Sequence, residues 1–411
     1  MLNIKSRKLE WVLVGFLLVI NAGFPLWQSL HEIFIQKEKP YLLELFSSFP
    51  TKVNLHRWDE NAKDRSIFAK AVRPKVLQWR YDLFGEMAPK AVKGEGDWLF
   101  YRQDVDYLIQ PPYTDSRFYK GSFDTVITNK HLNLRNPFFA IAEFRDQLKS
   151  MGIELLLVPI PGKPSIYPEK VNGKWNAKWN EKWSGEISKD LDVEFVSPSE
   201  KFIQDLRKNN IQVIDLFNPL REAKVKMDDS LYLKRDTHWT PQGLEIGAKV
   251  IGLKLKELGF GLELSDSSAI TYSSKDTTVE RWGDIAEMTK VPDRRKIWPN
   301  EIVRAQQIHN QKTFTPYKDD PQSPILWLGD SFSRIYQTDA PLSAGIISQI
   351  AKILNRPLCS IVNDGGASTV VREQLVRKQE LLKGKKIVVW AFVERDIRFG
   401  SKGWQIIQVQ H

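Results

Sequence analysis

One cysteine, Cys359, stands in a chain of 411 residues, so an intramolecular disulfide is excluded and cysteine usage does not fix the compartment. Histidine is scarce too, at six. No two histidines take an H-x-x-x-H spacing, and no cysteine cluster joins them, which removes the common zinc patterns. Nucleic-acid motifs are missing, as are internal repeats and low-complexity runs. A short tandem, "KWNAKWNEKW" (Lys174–Trp183), comes nearest to a repeat. Acid is in deficit: 60 Lys+Arg against 50 Asp+Glu leave a charge of +10 and a pI near 9.3. That balance favours anionic partners, among them acidic polysaccharide, anionic lipid and nucleic acid, and without a nucleic-acid motif it says no more than that. Tryptophan is abundant, at 14. Indole rings cover sugar faces well, although core packing accounts for most such residues. A hydrophobic share of 42% and a charged share of 27% are those of a globular protein, long enough for one large domain with extensions.

Charge is also absent from "WVLVGFLLVINAGFPLW" (Trp11–Trp27), 17 residues that follow Lys5, Arg7 and Lys8. This is near the lower limit for crossing a bilayer. Basic residues ahead of the span put the N-terminus inside and the bulk of the chain outside. A cleaved signal peptide is the rival, with "INA" (Ile20–Ala22) as its cleavage site. Trp27 resembles an interfacial anchor, and the reading preferred here is an uncleaved signal anchor within residues 1–35. Residues 36–90, mixed and interrupted by proline, read as a connector, and residues 91–411 as the main domain.

In that domain helical and buried-strand patterns alternate. "GEGDWLFYRQDVDYLI" (Gly94–Ile109) reads as a glycine turn and a strand. In "NPFFAIAEFRDQLKSMG", Asn136 suits an N-cap, Pro137 the first helical position and Gly152 the stop, while Ile141, Phe144 and Leu148 share one face. "IELLLVPI" (Ile153–Ile160) is a continuous apolar run, as in a strand covered on both faces. "IQVIDLF" (Ile211–Phe217) reads as another strand. A helix capped by Thr240 follows, with Leu244, Ala248, Ile251, Leu255 and Leu258 as its buried stripe. "ILWLGD" (Ile325–Asp330) and "KKIVVWAFV" (Lys385–Val393) are further buried strands. Helix then buried strand, repeated, predicts an α/β fold around a mostly parallel sheet.

Two short stretches carry chemistry. In "LGDSFS" (Leu328–Ser333) a buried strand ends in Gly329, Asp330 and Ser331. Ligands of open α/β sheets bind beyond the carboxyl ends of the strands, so the Ser331 hydroxyl is placed for reaction there. A serine needs a base, and the base needs an orienting group. In "KRDTHWTPQG" (Lys234–Gly243), Asp236 and His238 stand two apart, a spacing that points both side chains the same way in extended backbone. No other histidine has an acid two residues before it. A metal reading of the pair lacks further ligands. A purely structural reading, in which both residues satisfy loop backbone before a capped helix, stays open.

Together, "GDSFS", "DTHWTPQG", "GDWLFY", "VPIPGKPSIYP" (Val158–Pro168) and "ERDI" (Glu394–Ile397) resemble the alginate O-acetyltransferase family of SGNH-hydrolase-like proteins. The acid–base pair precedes the serine, the permuted order of that family, and the chain is similar to its single-domain, membrane-anchored form. The resemblance implies a three-layer SGNH-like fold with Ser331 as nucleophile, His238 as general base and acid, and Asp236 as its orienting group. It implies transfer of acetyl through a serine ester onto an exported polysaccharide, with no cofactor. It further implies an inner-membrane, single-pass protein with a periplasmic domain, supplied by a multi-pass membrane acyltransferase. Two alternatives remain: an esterase or deacetylase with the same triad, and a non-catalytic glycan-binding component of an export complex. The second oxyanion donor is expected in "NDGGAST" (Asn363–Thr369), from Asn363, Gly365 or Gly366. Tyr336 is a candidate for the pocket wall or for helix packing. Arg395 would hold a sugar carboxylate or form a structural ion pair. Trp175, Trp179 and Trp183, each preceded by lysine, make a stripe at helical spacing that would guide an anionic glycan or face the core.

Overall fold

A computed structural model describes residues 2–47, 49–109, 136–171 and 196–409. The chain forms two compact units, one of Met1–Met87 with Lys290–Asp293 and one of Ala88–Thr289 with Arg294–His411.

The first unit is helical. Its opening helix includes Glu10–Gln36, 27 residues long and apolar enough to cross a membrane, at about 40 Å for 1.5 Å per residue. The uncharged run Trp11–Trp27 lies inside it. The stretch read as a connector holds two substantial helices, Lys52–Arg65 and Ile67–Phe84. Each begins at a hydroxyl cap: the Thr51 side chain accepts from the Asn54 N–H, and that of Ser66 from the Ala69 N–H. Pro74 sits inside the second helix, so proline was a poor guide to a break here. Phe68 packs on Phe24 with ring centroids 4.1 Å apart, and the Ile67 N–H donates to Gln28, tying the two helices.

The second unit is built on five parallel strands in the order β4-β3-β9-β7-β8, with β3 at Glu154–Ile160, β4 at Gln212–Val213, β7 at Ile325–Gly329, β8 at Cys359–Val362 and β9 at Ile387–Val393. Side chains alternate between the faces with a period of two. One face takes Leu156, Val158, Trp327, Val389 and Ala391 and is covered by Leu244, Ala248, Ile251 and Leu255 of the Pro241–Glu257 helix. The other takes Leu155, Leu157, Leu328, Val388 and Trp390 and is covered by Ile141, Phe144 and Leu148 of the Pro137–Ser150 helix, with Phe202 and Leu206 beside them. Both faces are therefore dry, which is why the central strands read as unbroken apolar runs. The result is the expected three-layer α/β architecture.

Two strands were over-read. After a hairpin of β1 (Ala91–Lys93) with β2 (Leu99–Tyr101), the chain turns helical at Arg102–Ile109, with Val105 and Leu108 on its buried face. In "IQVIDLF" the strand β4 is only two residues, and Phe217 opens a helix instead. A ten-residue antiparallel ribbon of β5 (Tyr272–Arg281) and β6 (Glu301–Asn310) was not anticipated. Its strands are largely polar and half-exposed, so no apolar run announced them.

Candidate active site

Ser331 follows the carboxyl end of β7, directly after the buried Asp330, and opens a single helical turn, Ser331–Arg334. Asp330 fixes that turn from both sides. Its carboxylate accepts the Phe332 N–H at 2.9 Å and, from the neighbouring strand, the Val393 N–H at 2.9 Å. Gly329 is demanded by close approach: a Cβ there would lie 2.2 Å from the Ser333 hydroxyl and 2.7 Å from the Trp327 indole nitrogen, two atoms hydrogen-bonded to each other at 2.9 Å.

The loop carrying Asp236 and His238 closes onto this turn. His238 Nε2 lies 2.8 Å from Ser331 Oγ, and its Nδ1 lies 2.6 Å from Asp236 Oδ1. The residues flanking the pair lock it in place. The Phe332 ring, next to the serine, packs against the His238 ring at 4.8 Å and edge-on against the buried Trp239 at 5.4 Å. Thus the aromatic residues that follow Ser331 and His238 are the glue between the two segments.

Buried charge holds the loop from behind. Lys163, from "PGKP", is wholly buried, and its ammonium donates to the carbonyls of Leu233, Lys234 and Asp236 at 3.0, 3.1 and 2.7 Å. Burial pulls its pKa down to about 8, while Glu301 and Asp236 oppose the fall. Glu394, from "ERDI", accepts from the Gly162 N–H at 2.7 Å and from the hydroxyls of Ser165, Ser197 and Ser199, thereby fixing the Lys163 turn. Burial pushes its carboxyl up to about 7 against those donors.

Electrostatics favour a relay. Burial alone would raise the Asp236 carboxyl, but the charge and hydrogen bond of His238 outweigh it and hold it well below the usual carboxylate range. Burial likewise works against the His238 imidazolium, yet Asp236, and after it Asp284, lift its pKa above the ordinary 6.5. Asp284 had no signal in the sequence. Its carboxylate comes within 3.9 Å of His238 Nδ1, making a group of three possible ligand residues, Asp236, His238 and Asp284. Both imidazole nitrogens are already engaged, one with Asp236 and one with Ser331, so this donor set suits a proton relay better than a metal.

The other anticipated residues are distributed differently. Asn363 stands at the end of β8, and its N–H donates to the Gly329 carbonyl at 3.0 Å, beside the serine turn. Gly365 is exposed, in a left-handed conformation at φ +63°. Tyr336 is fully buried and donates to the Trp239 carbonyl at 3.3 Å, so it is core and not pocket wall. Arg395 is drawn inward to Asp104 at 2.8 Å and stacks over Tyr101 and Phe332, which matches an ion pair inside the fold. Trp175, Trp179 and Trp183 lie outside the described residues.

Residues 91–394 match the family described as "SGNH hydrolase-like domain, acetyltransferase AlgX". The chain belongs to this family. Among its relatives is a Pseudomonas fluorescens protein named "Probable alginate O-acetylase AlgJ", 22% identical over 320 residues, spanning 77% of this chain and 70% of the relative. A Pseudomonas aeruginosa protein of the same name is 26% identical over 337 residues, spanning 78% and 74%. Among solved structures, the O-acetyltransferase domain of Pseudomonas putida AlgJ overlays with a TM-score of 0.52 at 20% identity, covering 75% of this chain and 92% of that one. That likeness is one of fold. The family membership makes the chain an acetyltransferase of the SGNH-like class.

Proposed function

We propose that the chain moves acetyl groups onto hydroxyls of an exported, alginate-like polysaccharide, with Ser331, His238 and Asp236 as its catalytic triad. The observation that carries the assignment is the continuous line from the Asp236 carboxylate through both imidazole nitrogens to the Ser331 hydroxyl, at 2.6 and 2.8 Å. His238 Nε2 takes the Ser331 proton as Oγ attacks the acetyl carbonyl of a donor. The tetrahedral intermediate collapses, the bond to the donor's leaving group breaks, and the imidazolium returns its proton to that group. A sugar hydroxyl then gives its proton to the same nitrogen, attacks the seryl ester and leaves with the acetyl group, while Ser331 regains its proton. The Ser331 N–H and a donor from the Asn363–Gly366 turn are the proposed oxyanion contacts, each worth roughly 3 kcal/mol of barrier.

The apolar N-terminal helix supports a membrane-anchored placement outside the cytoplasm, where a multi-pass membrane acyltransferase would supply the donor. Water as acceptor would turn the same triad into an esterase. Full-length protein given an acetyl donor and oligosaccharide should leave acetyl on the glycan rather than release free acetate. Ser331→Ala should abolish both transfer and stoichiometric labelling by a serine-directed phosphonate. It should cost no more than about 1.5 kcal/mol of stability, the worth of the one hydrogen bond to His238 that is lost. Normal transfer by that variant would disprove the nucleophile.

A further inference from the structure

We propose that Asp284 is a second carboxylate of the relay, a positioning residue that fixes the Asp236–His238 loop through Thr237 and sets the pH at which His238 becomes a base. The proposal rests on the reading of Ser331 as nucleophile and His238 as its base.

The geometry is reciprocal. Asp284 opens the short helix Asp284–Met288, and its N–H points at Asp236 Oδ2, 3.3 Å away. Its carboxylate takes both donors of Thr237, the residue between the acid and the base. Oδ1 accepts the backbone N–H at 2.8 Å and Oδ2 accepts the hydroxyl at 2.7 Å. That hydroxyl oxygen is 3.2 Å from His238 Nδ1, and Asp284 Oδ2 is 3.9 Å from the same nitrogen. A pair of Thr237 bonds would suffice to hold a loop. A formal negative charge against Nδ1 does something further: it stabilises the imidazolium formed at each acyl transfer.

The surroundings decide how strongly. Arg281 from β5 stands 3.9 Å from Asp236 Oδ2 and is shared with Asp339, and Arg395 opposes a positive His238. Tyr101 and Lys163 also feel the Asp284 charge. On its own helix, Glu287 is occupied by Trp282 and Arg294. Asp284 keeps about a third of its side chain in solvent, a relative exposure of 34%, against 2% for Asp236. Asp236 is thus the buried, constant partner and Asp284 the one reached by solvent. Its carboxyl is raised to about 6, first by the protein packed around it and then by the Asp236 charge. Asp284 is therefore charged at neutral pH, and its hold on the imidazolium weakens as pH falls through about 6.

The sign of the test follows. Removing the charge lowers the His238 pKa, and the acid limb of kcat/KM reports that pKa in the free enzyme. In full-length protein hydrolysing p-nitrophenyl acetate, Asp284→Asn should move the limb to lower pH by about one unit, the low end for a charge at this distance with solvent access. Asp284→Ser keeps an oxygen at the helix start without charge and should move it equally, which covers a folding failure of the first variant. Thr237→Val keeps the charge and loses the hydroxyl bridge; it should lower kcat while the limb stays in place. An unmoved limb in both Asp284 variants, with turnover still abolished by Ser331→Ala, overturns the role given to Asp284. Undiminished turnover in Ser331→Ala overturns the triad on which the inference stands.

Discussion

A single methyl group at Gly283 tests whether loop placement carries the rate. A Cβ there would sit 2.1 Å from the Arg235 carbonyl oxygen and 2.4 Å from its carbon. Ordinary contacts of this kind begin near 3.4 Å, so one backbone must give way by about 1 Å. Gly283 has φ −69°, so alanine meets no conformational penalty of its own and the whole effect is displacement. Both segments matter. Arg235 immediately precedes Asp236, and Gly283 immediately precedes Asp284, whose N–H and carboxylate brace Asp236 and Thr237. A misplacement of about 1 Å costs on the order of 100-fold in rate, or about 2.7 kcal/mol of barrier. The overpacking should cost about 1–3 kcal/mol of stability. Gly283→Ala is therefore expected to fold, to unfold at lower urea, and to hydrolyse p-nitrophenyl acetate with kcat down about 100-fold. A folded variant with kcat within about threefold of the parent would refute the reasoning, because the relay would then tolerate a shift that the distances forbid.

Asp236→Asn should lower kcat by about 10⁴-fold, since the amide no longer holds the tautomer that presents Nε2 as a base. Its residual activity should also lose its acid limb at lower pH than the parent: the parent's His238 pKa is raised above 6.5 mainly by Asp236, so the parent loses activity on falling through a higher pH. Lys163→Met keeps the stem and removes the ammonium, stranding the carbonyls of Leu233, Lys234 and Asp236. Carbonyls left buried without their donor predict about 1–3 kcal/mol of destabilisation in a urea melt, and an unchanged midpoint would contradict the bracing role.

What could be read in the sequence was local. Asn136 and Thr240 announce helices because a cap acts on N–H groups two or three residues away, and both are found capping. The strands β3, β7 and β9 announced themselves because both faces are covered, so burial leaves an unbroken apolar run. "IQVIDLF" failed for the same reason in reverse: Ile214, Leu216 and Phe217 are buried, but as the entry to a helix, and apolar content alone does not distinguish the two.

The site divides along the same line. Asp236 and His238 were visible because they are two residues apart and their geometry follows from backbone alone. Ser331 was visible because a buried strand leads into it. The residues that brace them were not, because each acts across the fold: Lys163 lies 73 residues from the Asp236 carbonyl it holds, Asp284 lies 47 from Thr237, and Glu394 lies 229 from Ser165. Lys163, Glu394 and Gly162 sit in stretches that marked the family resemblance, yet nothing in those residue types says which carbonyl or hydroxyl they meet. Wholly buried charge is costly unless it is hydrogen-bonded. A lysine between two prolines just beyond a largely buried strand is therefore a place to look for a brace. The proposed catalytic pair is encoded in one short loop, but its position depends on ammonium and carboxylate groups that only the closed sheet brings to it.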